Sequence, residues 1–126
     1  MFERLALIAL GGALGSLLRY GCLGLGARWS AAGLPLAVLA VNVLGAFAAG
    51  GVITFALSRG LAAENLRLFF VVGLLGAFTT FSAFTWEGFE LLRSGEIARA
   101  AFHALLHVVL SLVAVALGVW AARAVS

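Results

Sequence analysis

The chain has 126 residues, 64% of them hydrophobic and 10% charged, with a mean hydropathy of +1.18. Soluble domains average about 45–50% apolar and about 25% charged residues, so a soluble fold is excluded. The net charge is +3 and all 8 cations are arginines, scattered between the apolar runs rather than clustered, which argues against a nucleic-acid-binding surface.

Four apolar runs follow one another: Leu5 to Ala27, Leu34 to Leu57, Leu68 to Phe84 and Ala100 to Ala122. Each is close to the ~20 residues that cross a bilayer as a helix. Backbone in lipid must be helix or closed barrel, and these runs are too long for barrel strands. The expectation is an all-α protein of four transmembrane helices, with residues 1–126 forming one transmembrane domain. The apolar character of the first run continues past Arg19, so it reads as a span rather than a cleaved signal peptide. Cys22 lies alone inside that run and defines no disulfide.

Within the first span Arg19 is the one charge placed well inside the membrane. Such a charge marks a partner, a water-filled cavity or an ion path, and a cation favours an anionic guest. The other reading is a snorkelling side chain whose stem reaches an interface. The connector Arg28 to Gly33 offers Trp29 as an interface anchor, and Pro35, the only proline, is placed where a second helix begins. In that helix Asn42 brings an amide able to donate N–H bonds to a dehydrated anion, or to act as interhelical glue.

The third span carries Gly73-Leu74-Leu75-Gly76-Ala77-Phe78-Thr79-Thr80-Phe81-Ser82-Ala83-Phe84. Two glycines and a Thr-Thr pair point to a local break, and freed carbonyls there suit a hard cation. Alternatively the threonine hydroxyls bond back to the preceding turn of a continuous helix. Phe81 and Phe84 share a face at i, i+3, where ring edges can meet a small anion or simply pack. The stretch Glu87 to Arg99 reads as a polar connector. In the fourth span His103, His107 and Ser111 make a polar stripe at i, i+4, i+8, a potential source of pH sensitivity. A transition-metal site on this stripe finds no Cys, Asp or Glu partner within the predicted spans.

With four spans, Arg4, Arg59, Arg67 and Arg123 share one side and Arg28, Arg93 and Arg99 the other. Four against three is little bias for setting orientation, which leaves open either one orientation or insertion both ways as an antiparallel homodimer. The glycines inside the spans, among them Gly11, Gly12, Gly15, Gly21, Gly45, Gly50, Gly51, Gly73 and Gly76, suit close helix approach within one chain or across such a dimer.

Taken together, Gly11-Gly12-Ala13-Leu14-Gly15-Ser16-Leu17-Leu18-Arg19-Tyr20, then Asn42-Val43-Leu44-Gly45, then Gly76 through Phe84 resemble the signature of the Fluc (CrcB) fluoride channel family. The resemblance implies a multi-pass protein of the bacterial inner membrane, a dual-topology antiparallel homodimer with two fluoride pores and a central sodium ion. By motif position, Phe81 and Phe84 look like the pore aromatics, Asn42 like the pore amide and Ser111 like the pore-side hydroxyl, with His103 and His107 on the same lining. Arg19 looks like the vestibule arginine, and Gly76 and Thr79 like the carbonyl donors to sodium. Ala77 and Ala83 replace residues often Gly and Thr in that family. His103 stands where a tyrosine is often found, and His107 where a small hydroxyl residue is. The main alternative, a proton-coupled exporter of the small multidrug resistance type, needs a membrane-embedded acid in its first span, where this chain has Arg19. A subunit without a transport path is a third reading, and no nucleophile and base pair marks an enzyme.

Overall fold

The structure, a computed structural model, describes residues 1–31, 33–58 and 63–125. Helix α1 spans Phe2–Gly26 and α2 spans Ala37–Ser58. Between them β1 (Ser30–Ala31) pairs antiparallel with β2 (Leu34–Pro35), and Gly33 turns the hairpin with φ 77°. Pro35 therefore sits in a strand rather than opening the helix, and α2 starts at Ala37, three residues later than the apolar run suggests.

The third span is composite. A short helix α3 (Ala63–Leu66) runs into a nine-residue π-helical stretch, Arg67–Leu75, followed by α4 (Gly76–Phe78) and α5 (Phe81–Arg93). The π-helix is rare and occurs mostly as single-turn bulges within α-helices, frequently at functional sites. Helix α6 then spans Ile97–Ala124, entered through Gly95 at φ 78°. The membrane-crossing part of the third segment is Glu64–Arg93, so Glu87 and Glu90 belong to helix, not to a connector. Only the few residues between Arg93 and Ile97 link the last two spans. Arg59 lies outside the described residues.

Two helix pairs organise the chain: α1 lies along the π-helical stretch and α4, while α2 lies along α6. Glycine makes both approaches close. A Cβ at Gly73 would stand 2.8 Å from the Ile8 carbonyl oxygen, and one at Gly15 3.0 Å from the Phe78 nitrogen. Gly50 meets the Val115 backbone and Gly118 the Phe47 backbone in the same manner. Gly11, Gly15, Gly45, Gly50 and Gly73 thus serve contacts within the chain, whereas Gly12 and Gly21 face open space.

The interior is thin. Between 11% and 28% of the most apolar window of each span is buried, and large side chains such as Leu10, Leu17, Phe81 and Leu112 point outward. In water such a surface would aggregate; in a bilayer it is the expected face toward lipid or another helix.

Candidate functional site

The site is built around the interruption of the third span. Thr79 (φ −74°, ψ 158°) and Thr80 (φ −149°, ψ 116°) are extended, so the helix stops at Phe78 and restarts at Phe81. The Thr79 hydroxyl does bond back to the Leu75 carbonyl at 3.0 Å, yet the helix still ends at the next residue. A partner from another span accounts for this: Asn42 holds Thr80 from both sides. Its Nδ2 donates to the Thr80 carbonyl at 3.0 Å, and its Oδ1 accepts the Thr80 N–H at 2.8 Å. Thr80 Oγ1 accepts the Ala83 N–H at 3.2 Å, the side-chain cap that starts α5. Thr80, read from the sequence only as half of the Thr-Thr pair, is the better buried of the two.

These bonds change the fate of two carbonyls. In a continuous helix Gly76 C=O would take the Thr80 N–H and Thr79 C=O the Ala83 N–H. Here the first donor goes to Asn42 and the second to Thr80 Oγ1, so both carbonyls leave the helical ladder. Arg19 Nη1 donates to Thr79 C=O at 3.1 Å, which gives the intramembrane cation a backbone partner at the break. A carbonyl oxygen has two lone pairs, so Thr79 retains acceptor capacity. The donor set of Gly76 and Thr79 is neutral and all oxygen, which fits a hard cation such as sodium.

Beside the break, bordered by Gly76 and Thr79 themselves, lies a cavity of about 450 Å³. It is lined by Asn42, Thr80, Phe81, Phe84, His107 and Ser111 together with small and aliphatic residues. Its described lining contains no Arg, Asp or Glu. The Phe81 and Phe84 rings stand 5.5 Å apart and tilted by 56°, Phe81 largely exposed and Phe84 half-buried. Asn42 spends one Nδ2 hydrogen on Thr80, and its amide carries a second.

Not every expected residue reaches this cavity. Arg19 approaches the break from α1 and does not line it. His103 is buried on the far side of Phe84, its ring stacked on that phenyl at 5.4 Å, and borders a second cavity of about 320 Å³ with Thr85 and Gly88. His107 bridges the two environments: it touches Phe84 at 4.4 Å and His103 at 4.4 Å. Glu87, read as part of a connector from the sequence, instead points its carboxylate to His103 Nε2 at 3.4 Å. The spacing of Glu87 from Phe84, i to i+3 on a continuing helix, was the available signal, masked by the habit of ending a span at its first acid.

Fold and site together define a class: a multi-pass membrane protein of four spans whose third is opened at mid-length beside a cavity with a polar floor and aromatic wall. The chain belongs to the CrcB family, whose model, described as CrcB-like protein, Camphor Resistance (CrcB), matches residues 6–119. It is 47% identical over 117 residues to a fluoride-specific ion channel FluC of Thermus thermophilus, covering 92% of this chain and 91% of that one. To the fluoride-specific ion channel FluC of Roseobacter denitrificans it is 43% identical over 126 residues, covering 98% of each. The protein of the same name from Geobacter sulfurreducens is 44% identical over 118 residues, covering 92% and 94%.

Proposed function

We propose that this protein is a passive, fluoride-selective channel. The observation that carries the reading is the single cavity shared by Asn42, Phe81, Phe84 and Ser111. A dehydrated fluoride there meets N–H and O–H donors and positive ring edges but no fixed charge, so it is held weakly enough to leave. Family membership and the names of the relatives support the choice of ion.

In this reading the working unit is an antiparallel homodimer with one pore per protomer. The support is the near-even arginine count on the two sides and the extensive apolar exposure of each chain. Gly76 is exposed, which supports a reading in which a second copy supplies the same groups beside it. Gly76 and Thr79 carbonyls from both copies would hold sodium, whose charge supplies an anchor between the two breaks. Arg19 orients Thr79 C=O and adds positive potential at the approach to the break.

Fluoride efflux from liposomes containing the purified protein tests the function. Efflux well above that of protein-free liposomes, with chloride held back, is expected; its absence overturns the channel. Fluoride moved uphill by a proton gradient would instead identify a coupled exporter. For the dimer, Ser58→Cys in a Cys22→Ser background is expected to react with an impermeant thiol reagent from both sides of the membrane. Labelling from one side alone contradicts dual insertion.

A further inference from the structure

The side chains of Arg19, Asn42, Thr79 and Thr80 at the break are hydrogen-bonded, but three buried polar atoms further along α5 and α6 are not. Glu87 Oε2, His103 Nε2 and His107 Nε2 are each buried without a hydrogen-bond partner. His103 is 1% and His107 5% exposed. Buried polar atoms without a hydrogen bond are costly, and three that converge call for an occupant.

The three side chains each offer one ligand atom, and these ligand atoms lie within 4.8 Å of one another. His103 Nε2 and Glu87 Oε2 are 3.4 Å apart. Ligand atoms about 2.0–2.2 Å from a tetrahedral zinc ion sit about 3.3–3.6 Å from each other. One edge of the triangle already has that length, and the other two are no longer than 4.8 Å. His107 Nδ1 lies 3.2 Å from the His103 carbonyl oxygen. A carbonyl only accepts, so Nδ1 carries the proton and Nε2 presents its lone pair to the centre of the cluster. A backbone oxygen that fixes a histidine tautomer in this way is the usual support behind a metal-bound imidazole. His103 and His107 stand one turn apart on α6, and Glu87 comes from α5, so the set spans two helices.

We propose that Glu87, His103 and His107 form an intramembrane binding site for a divalent transition-metal ion of the zinc class. Two imidazoles and one carboxylate select such an ion over sodium or calcium, which prefer all-oxygen sets. Three protein ligands leave a fourth position, and the cavities beside Phe84 give it access to a small ligand. This ion differs in ligands and chemistry from the sodium proposed at the break. Because the claim is read from metal content, it stands whether or not the protein conducts fluoride.

The test uses purified protein without a polyhistidine tag, stripped with EDTA and dialysed against Zn²⁺, with bound metal measured by mass spectrometry. One Zn²⁺ per chain is expected, and Co²⁺ in its place should give the intense visible absorption of a tetrahedral site. His103→Gln and His107→Gln should each weaken binding at least about 10–100-fold, and Glu87→Gln should weaken it measurably. Cys22→Ser should bind like the parent. Elution of every variant as the parent detergent complex shows that folding is retained. No saturable Zn²⁺ uptake by the parent protein, uptake unchanged in both histidine variants, or a Co²⁺ spectrum of the hydrated ion overturns the site.

Discussion

Two polar regions of this membrane protein, about two helical turns apart along α5, are built on opposite principles. At the break, Asn42, Thr80, Thr79 and Arg19 satisfy one another through bonds of 2.8–3.1 Å. On the α5–α6 wall, Glu87, His103 and His107 converge with one polar atom each that makes no hydrogen bond, the nearest approach being 3.4 Å between Glu87 Oε2 and His103 Nε2. The first region is a scaffold, whose polar groups shape the backbone and release two carbonyls from the helix. The second has the features of a receptor, holding its donors in reserve. Phe84 lies between them, in contact with both histidines and with the cavity that Asn42 lines.

The comparison breaks most sharply at Asn42. Asn42→Ala strips Thr80 of both partners, and each orphaned group costs about 1–3 kcal/mol. A clear drop in the unfolding temperature in detergent is expected, with fluoride efflux lost alongside. Retained stability would show that the break holds itself open without α2. Arg19→Gln, which shortens the donor and removes its charge, should lose up to about 1.5–3 kcal/mol, the range of a hydrogen bond to a charged group. The same unfolding assay reads it. The opposite outcome is expected on the other wall. Glu87→Leu, assayed in EDTA, should leave the unfolding temperature unchanged or raised, because it removes a buried carboxylate oxygen that makes no hydrogen bond. A large loss there would mean that the carboxylate is already satisfied.

The spans were legible because apolar length is a local property, and so was the neighbourhood of the break. Glycine and paired threonine in the Gly76 to Phe84 segment mark weak helix, but the hinge lies at Thr79–Thr80 because Asn42, 38 residues away, takes the Thr80 amide. No local pattern encodes that bond. The π-helical stretch was invisible for the same reason, since it accompanies the fit of α1 against Gly73. The histidine stripe was readable from its i, i+4 spacing. Its acidic partner was not, because an acid after an apolar run signals a boundary, whereas α5 carries Glu87 onward within a helix that ends at Arg93.

The central claim is that fluoride passes along the Phe81–Phe84 wall of the Asn42 cavity. Fluoride efflux from liposomes bearing Phe81→Ile or Phe84→Ile, measured beside the parent protein, tests it most directly. Phe81 is largely exposed, so its replacement should leave folding intact and still slow efflux strongly. Phe84→Ile should slow it as well, and should cost about 0.5–1.5 kcal/mol of stability because the ring no longer stacks on the histidines. Strongly reduced fluoride efflux in both variants, with the dimer retained, is the predicted result; full activity in both would contradict an aromatic pore.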